Sequence, residues 1–325
     1  MNSKRFVISI VLIIFSLIGI IYAALWILPE EKYMQGEYSA WKQQKEYSLQ
    51  KHAREVILLG DSRMKIDVNA VELDNTYNMA LAGSSPIEAY YTLKRYLNAG
   101  NIPEKVYIGF APTHFTSYEN YLDRGIFFHY YSDNEISEIN FNILKYEGID
   151  YSTEVQKYKW RSPAVYLTTL LHSFKEDRAS INKNLYKEME ASKGTLTLNG
   201  QKNNGKPVIP EEAKENNFRV QQVLDYYLRE TIVMCNNNNI PVHIIQLPMG
   251  ERGVELLKST GYMQQYENYM QALADDYGIS VEIHIPVYPD DLFADNSHLN
   301  KQGQQQYTRH IKNFYDGEEK NQLWD

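Results

Sequence analysis

The chain has 325 residues, 43% of them apolar and 23% charged, an ordinary globular composition with room for one large or two small domains. A formal charge of −8 and the lack of any long Lys/Arg run argue against a nucleic-acid partner. The single cysteine, Cys235, excludes an internal disulfide framework and a cysteine-based metal cluster, and its apolar helical surroundings mark it as a buried structural thiol.

After Lys4 and Arg5 the chain runs from Phe6 to Leu28 without a charge. As a helix these residues extend roughly 34 Å, enough for a hydrocarbon core of about 30 Å. A secretory signal has a shorter apolar region, and the run continues past its one weak cleavage site at Ala23-Ala24, so an uncleaved anchor is expected. Lys4 and Arg5 before the span, against Glu30 and Glu31 after it, put the amino terminus in the cytoplasm and the remainder outside. Residues 29–54 are polar and helix-permissive, and predict a stalk that lifts the following domain off the membrane. The expected organisation is thus residues 1–28 as cytoplasmic start and transmembrane anchor, 29–54 as stalk, and 55–325 as one extracytoplasmic domain with an insertion at about 115–210.

From Glu55 short apolar runs alternate with longer amphipathic ones, the pattern of βα units. Strands are predicted at Val56–Leu59, Thr76–Met79, Val106–Phe110, Pro241–Pro248 and Ile279–Ile285. Ser85 and Pro86 supply a cap and first turn for a helix through Asn98. The stretch from Phe115 to about Pro210 breaks the rhythm with aromatic helical pieces, Ile139–Tyr146 and Val165–Phe174. It ends in a Gly/Asn/Lys-rich run, Lys193–Pro207, expected to be a mobile loop beside the substrate. Helices are predicted at Glu211–Asn238, Tyr262–Tyr277 and Asn300–Phe314, the last capped by Asn300. Tyrosine is abundant, 27 against 11 Phe and 4 Trp. Stacking on sugars is compatible with that content, but core and amphipathic surface account for most of it.

Two short blocks carry chemistry. In Val56-Ile57-Leu58-Leu59-Gly60-Asp61-Ser62 a buried strand ends in a glycine, and a hydroxyl follows where open α/β sheets place their ligand crevice. A serine hydroxyl attacks at neutral pH only with a general base in reach. Asp295-Asn296-Ser297-His298, near the other end of the chain, offers that base together with a carboxylate to hold its tautomer. Ser62, His298 and Asp295 are the candidate catalytic residues. Asp61 is expected to brace the turn. Arg63 either pairs with an anionic polymer or lies on the surface. No other His/carboxylate spacing is persuasive for a metal, and no cofactor is implied.

The Gly60-Asp61-Ser62, Asn78…Gly83 and Asp295-x-x-His298 blocks together resemble the SGNH, or GDSL-type, hydrolase superfamily. The resemblance implies a flavodoxin-like, three-layer α/β/α fold with a parallel sheet. It also implies an oxyanion hole formed by the backbone N–H groups of Ser62 and Gly83. The superfamily's Gly-x-Asn-Asp block is absent. The third strand runs instead into Phe110-Ala111-Pro112-Thr113-His114, which leaves Thr113, His114 or Asn78 to replace the missing donor, with Thr113 and His114 also candidates for substrate binding.

That departure is similar to a membrane-tethered branch, the alginate O-acetyltransferase-like and D-alanyl-lipoteichoic acid transfer proteins. It implies an extracytoplasmic serine O-acyltransferase that modifies a cell-surface polysaccharide or polyol, fed by a multi-span membrane acyltransferase. The alternatives are a carbohydrate or lipid esterase of the same fold and a non-catalytic assembly subunit.

Overall fold

All five residues of Val56–Gly60 are buried, as a strand covered on both faces requires. The computed structural model describes residues 3–316 except 54, 119, 199, 201–202 and 204–205. The strands are β1 (Val56–Gly60), β2 (Thr76–Asn78), β3 (Lys105–Gly109), β4 (Val242–Ile244), β5 (Met249–Gly250), β6 (Ser280–Val281) and β7 (Val287–Tyr288). The helices begin with α1 (Ser3–Ile27), α2 (Glu37–Ser48), α3 (Ser62–Asp67), α4 (Pro86–Asn98), α5 (Asp133–Glu147) and α6 (Ser152–Lys159). They continue with α7 (Pro163–Ser173), α8 (Arg178–Ala191), α9 (Gln222–Asn237), α10 (Glu251–Thr260), α11 (Tyr262–Tyr277) and α12 (Lys301–Asp316).

Five strands form a parallel sheet in the order β2-β1-β3-β4-β6, and β5 pairs with β7 in a short parallel ladder beside it. The fold is α/β with the doubly wound, flavodoxin-like order, whose ligand crevice opens at the carboxyl ends of β1 and β3. Alternate residues of β1 serve opposite layers. Ile57 and Leu59 pack with Leu93 of α4, Ile232 of α9 and Leu273 of α11. Val56 and Leu58 pack with Met64 of α3 and with Tyr307 and Ile311 of α12. Gly60 ends β1 because nothing larger fits, since a Cβ there would stand 1.9 Å from the Gly109 carbonyl oxygen.

The segment expected to be a stalk, residues 29–54, carries a helix that packs into the domain. Helix α2 is built into the domain, with Trp41 and Tyr38 buried among Phe128 and Tyr130. Its polar residues Gln43 and Gln44 are buried too, donating to Tyr77 Oη at 2.6 Å and to the Asn78 carbonyl at 2.8 Å. The polar composition reflects hydrogen bonds to the edge of the sheet, not exposure to water. Helices α5, α6 and α7 join α2 and the end of α1 in a second apolar cluster, where Tyr91, Tyr121, Tyr130, Tyr166 and Tyr227 are almost fully buried. These tyrosines are core.

The run from Lys193 is fastened where it starts. The Lys193 carbonyl accepts the Asn78 N–H at 2.9 Å, covering the free edge of β2, and Leu196 N–H donates to the Lys65 carbonyl at 3.1 Å. Residues 199, 201–202 and 204–205 of the expected mobile loop lie outside the described residues. The helix predicted from Glu211 begins at Gln222, and Glu211–Lys214 is a single tight turn after Pro210. Ile279–Ile285 contributes only Ser280–Val281 to the sheet. Asn300 does cap the last helix, accepting from the N–H groups of Gln302 and Gly303. Among the described residues, α1 is the helix long and apolar enough to cross a membrane.

Candidate active site

Ser62 is the first residue of α3, separated from the end of β1 by Asp61 alone. Asp61 caps that helix, its Oδ1 accepting from the N–H of Arg63 at 2.8 Å and of Met64 at 3.4 Å. Its Oδ2 accepts the Ala111 N–H at 2.7 Å, which locks the turn after β1 to the exit of β3. The brace expected of Asp61 is therefore what its contacts describe, and His114 adds to it with Nε2 3.3 Å from Asp61 Oδ2. Thr113 shares the tight turn Pro112–Phe115, and its carbonyl accepts from Thr116.

His298 reaches the serine from a loop just before α12. Its Nε2 lies 2.8 Å from Ser62 Oγ, and its Nδ1 lies 2.9 and 3.1 Å from the two oxygens of Asp295. With a carboxylate on Nδ1, that nitrogen carries the hydrogen, leaving Nε2 to accept the serine proton. Asp295 also accepts the backbone N–H groups of Ser297 and His298, so three hydrogen bonds set the loop around the ring. Burial alone would raise the Asp295 carboxyl. The hydrogen bond and charge of His298, with those two N–H groups, bring it down to about 2. Burial likewise disfavours the His298 imidazolium, but the Asp295 hydrogen bond and then the charge of Asp67 raise the ring above its ordinary value.

Asp67 is a residue that motif reading misses. It closes α3, fully buried, and its Oδ1 accepts the N–H of Leu299, the neighbour of His298, at 2.8 Å. Its Oδ2 is buried with no hydrogen-bond partner among the described residues. Burial pushes its carboxyl up to about 7, against the pull of His298 and the Leu299 N–H. Helix α3 thus carries the serine at one end and a second carboxylate toward the histidine at the other.

Two expectations about the oxyanion hole and the substrate are corrected by geometry. Asn78 has no free donor, because its side-chain amide gives both hydrogens to carbonyls, Met64 at 2.9 Å and Val68 at 3.3 Å. It ties α3 to the exit of β2, and its Oδ1 accepts the Ala80 N–H at 3.1 Å. Arg63 is neither a surface residue nor free for an anionic polymer. It is buried in an ion pair with Glu212, Nη2 to Oε1 at 2.6 Å, and Glu212 is itself 1% exposed. Lys65 is buried as well, donating to the carbonyls of Ala80 and Gly194, and burial lowers it to about 7. Nothing local in the sequence signals that distant segments cover Arg63, Lys65 and Asp67 of α3.

Among the described residues the N–H groups of Ser62 and Gly83 have no acceptor within the protein. The Gly83 turn is tied to the end of β1, since Leu81 N–H and Ser84 Oγ both donate to the Gly60 carbonyl, at 3.0 and 2.7 Å. Gly83 has φ +71°, and a Cβ there would also stand 2.9 Å from the Arg124 guanidinium carbon. Among the described residues, no group of three His, Cys, Asp or Glu side chains is placed to hold a metal ion.

Residues 30–315 match the family DUF1574, described as proteins of unknown function, so the chain belongs to that family. No curated protein matches it.

Proposed function

We propose that this member of the DUF1574 family is a serine acyltransferase of the SGNH kind, anchored by α1 with its sheet domain on the extracytoplasmic side. The observation that carries the reading is the hydrogen-bonded series Asp295–His298–Ser62, set at the carboxyl end of β1 where doubly wound sheets bind ligands.

In this reading His298 Nε2 takes the Ser62 proton as Oγ attacks an acyl carbonyl. Two unpaired N–H groups, of Ser62 and Gly83, receive the developing oxyanion. Collapse breaks the bond to the leaving group, which takes the proton from His298, and an acyl-serine remains. An acceptor hydroxyl then gives its proton to His298 and attacks the acyl carbon, restoring the Ser62 hydroxyl. The acceptor proposed is a cell-surface polysaccharide or polyol, and a multi-span membrane acyltransferase is the proposed source of the acyl group. With water as acceptor the same residues make an esterase.

The test uses the full chain in membranes with a chromogenic acetyl ester, with and without an oligosaccharide, and Ser62→Ala as control. Acyl-Ser62 seen by mass spectrometry and discharged onto sugar is the expected result. Discharge only to water assigns an esterase. A folded chain that forms no acyl-serine even in whole membranes, with its partners present, sinks the catalytic reading.

A further inference from the structure

Helix α1 does not leave the domain through a spacer. Ile21, Ala24, Leu25 and Leu28 pack into the same cluster as Val165, Tyr166 and Leu170 of α7. The Leu25 carbonyl accepts from Arg161 Nη1 at 2.7 Å and from Tyr33 Oη at 3.3 Å. The end of α1 is therefore fixed to the domain by packing and by capping of its last turn. A hydrocarbon core of about 30 Å takes about 20 residues at 1.5 Å each. Counted from Phe6, the first residue after Lys4 and Arg5, that thickness ends near Leu25. The turn of α1 that touches α7 is then still at membrane depth.

The outward side of α7 has the chemistry of that position. Residues 163–174 contain no Asp, Glu, Lys or Arg. The exposed positions Ala164, Thr168, Leu171 and His172 form one face, and Phe174 follows the helix end 76% exposed. Helix α8, next in the chain, turns Lys183, Lys187, Glu188 and Glu190 to solvent instead. Trp160 is exposed just before α7, and the Arg161 guanidinium stacks 4.8 Å from the ring of Trp26 at the end of α1. Trp and Arg side by side, next to a helix face without Asp, Glu, Lys or Arg, is the composition of a membrane interface.

We infer that the exposed face of α7, with Phe174 and Trp160, is seated in the leaflet where α1 emerges, as a second lipid contact that fixes the domain's orientation on the bilayer. The inference rests on reading α1 as a membrane span. Its occupant is lipid of the same bilayer, because the surface is continuous with the helix that enters it.

The experiment is spin-label accessibility on the full chain in phosphatidylcholine/phosphatidylglycerol nanodiscs. Single labels are placed by Leu171→Cys, Phe174→Cys, Ile13→Cys as the bilayer reference and Lys187→Cys as the aqueous one. Cys235 is fully buried, and the unsubstituted chain checks that it takes no label. Labels at 171 and 174 are expected to favour oxygen over a water-soluble nickel chelate, as at 13 but more shallowly, while 187 shows the reverse. If 13 reports lipid while 171 and 174 match 187, the inference is overturned and the reading of α1 survives. Labels at 171 and 174 shielded from both reagents point to a protein neighbour and overturn it as well. A label at 13 outside the bilayer overturns the reading of α1, and the inference falls with it.

Discussion

Asp67 accepts the backbone N–H of Leu299 at 2.8 Å, so the helix that begins with Ser62 ends by holding the turn that presents His298. The two halves of the site are joined twice, once through the hydrogen bond between His298 Nε2 and Ser62 Oγ and once through this buried carboxylate. Each join makes a separate prediction.

Ser62→Ala and His298→Ala should each abolish acyl-enzyme formation, a loss of at least about 10³-fold in rate, because neither half of a proton-relay pair works alone. Ser62 is only half-buried at the start of a helix, so its loss should change stability by about 0.5 kcal/mol or less. Acylation rate and urea unfolding, measured on the same samples, check both.

The rate should rise with pH as His298 loses its proton, with the limb above the ordinary histidine value because Asp295 and Asp67 favour the imidazolium. Arg63 is the charged group that opposes them. Asp67→Asn keeps an acceptor for Leu299 N–H while removing a negative charge, so the limb should move to lower pH. The same variant should change stability with a definite sign. A carboxyl raised in the fold from its usual value to about 7 binds more protons folded than unfolded, so its contribution falls as pH rises between those values. The melting temperature of Asp67→Asn, relative to the parent, should therefore improve from pH 4 to pH 8. A flat difference would contradict the assignment.

Asn78→Ala and Gly83→Ala should separate structure from chemistry. The first deletes three buried hydrogen bonds and should cost roughly 2–4 kcal/mol at about 1 kcal/mol each, while the molecules that remain folded still acylate. The second forces a side chain into a positive φ against Arg124 and displaces a proposed oxyanion donor. Its acylation rate should fall by about 10²–10³-fold.

Glu212→Ala leaves the Arg63 guanidinium buried and unpaired, and should cost about 3–5 kcal/mol in urea unfolding. If Arg63 were free for an anionic substrate, the change would be near neutral.

Trp41→Ala should cost about 3–5 kcal/mol, since the ring is 1% exposed and touches Phe128 and Tyr130. A true stalk residue would show no such loss.

What the sequence made legible was local. The apolar run Val56–Leu59 and the cap signals at Ser85, Pro86 and Asn300 depend on neighbours a few positions away, and each recurs in the structure within a residue or two. The Ser62 and His298 blocks could be paired on paper because two short motifs share one chemistry, although 236 positions separate them. The environment of α3 was not legible, because its cover comes from Gly194, Leu196, Glu212 and Leu299. Arg63 therefore reads in the sequence as a cation on the surface or available to an anionic polymer, and neither holds once Glu212 covers it. Helix α2 misled in the same way, since Gln43 and Gln44 are polar for the sake of Tyr77 and Asn78 and not for water. Asp67 had no motif at all.

The order in which those covering residues are synthesised has a consequence for the growing chain. Arg63, Lys65 and Asp67 leave the ribosome early, and groups that complete their cover, Glu212, Gly194 and Leu299, follow more than a hundred residues later. Until then three charges on one short helix have no low-dielectric home and keep that helix open to water. An interrupted product would be left unfolded around Ser62, so that the fold itself exposes incomplete copies to proteolysis.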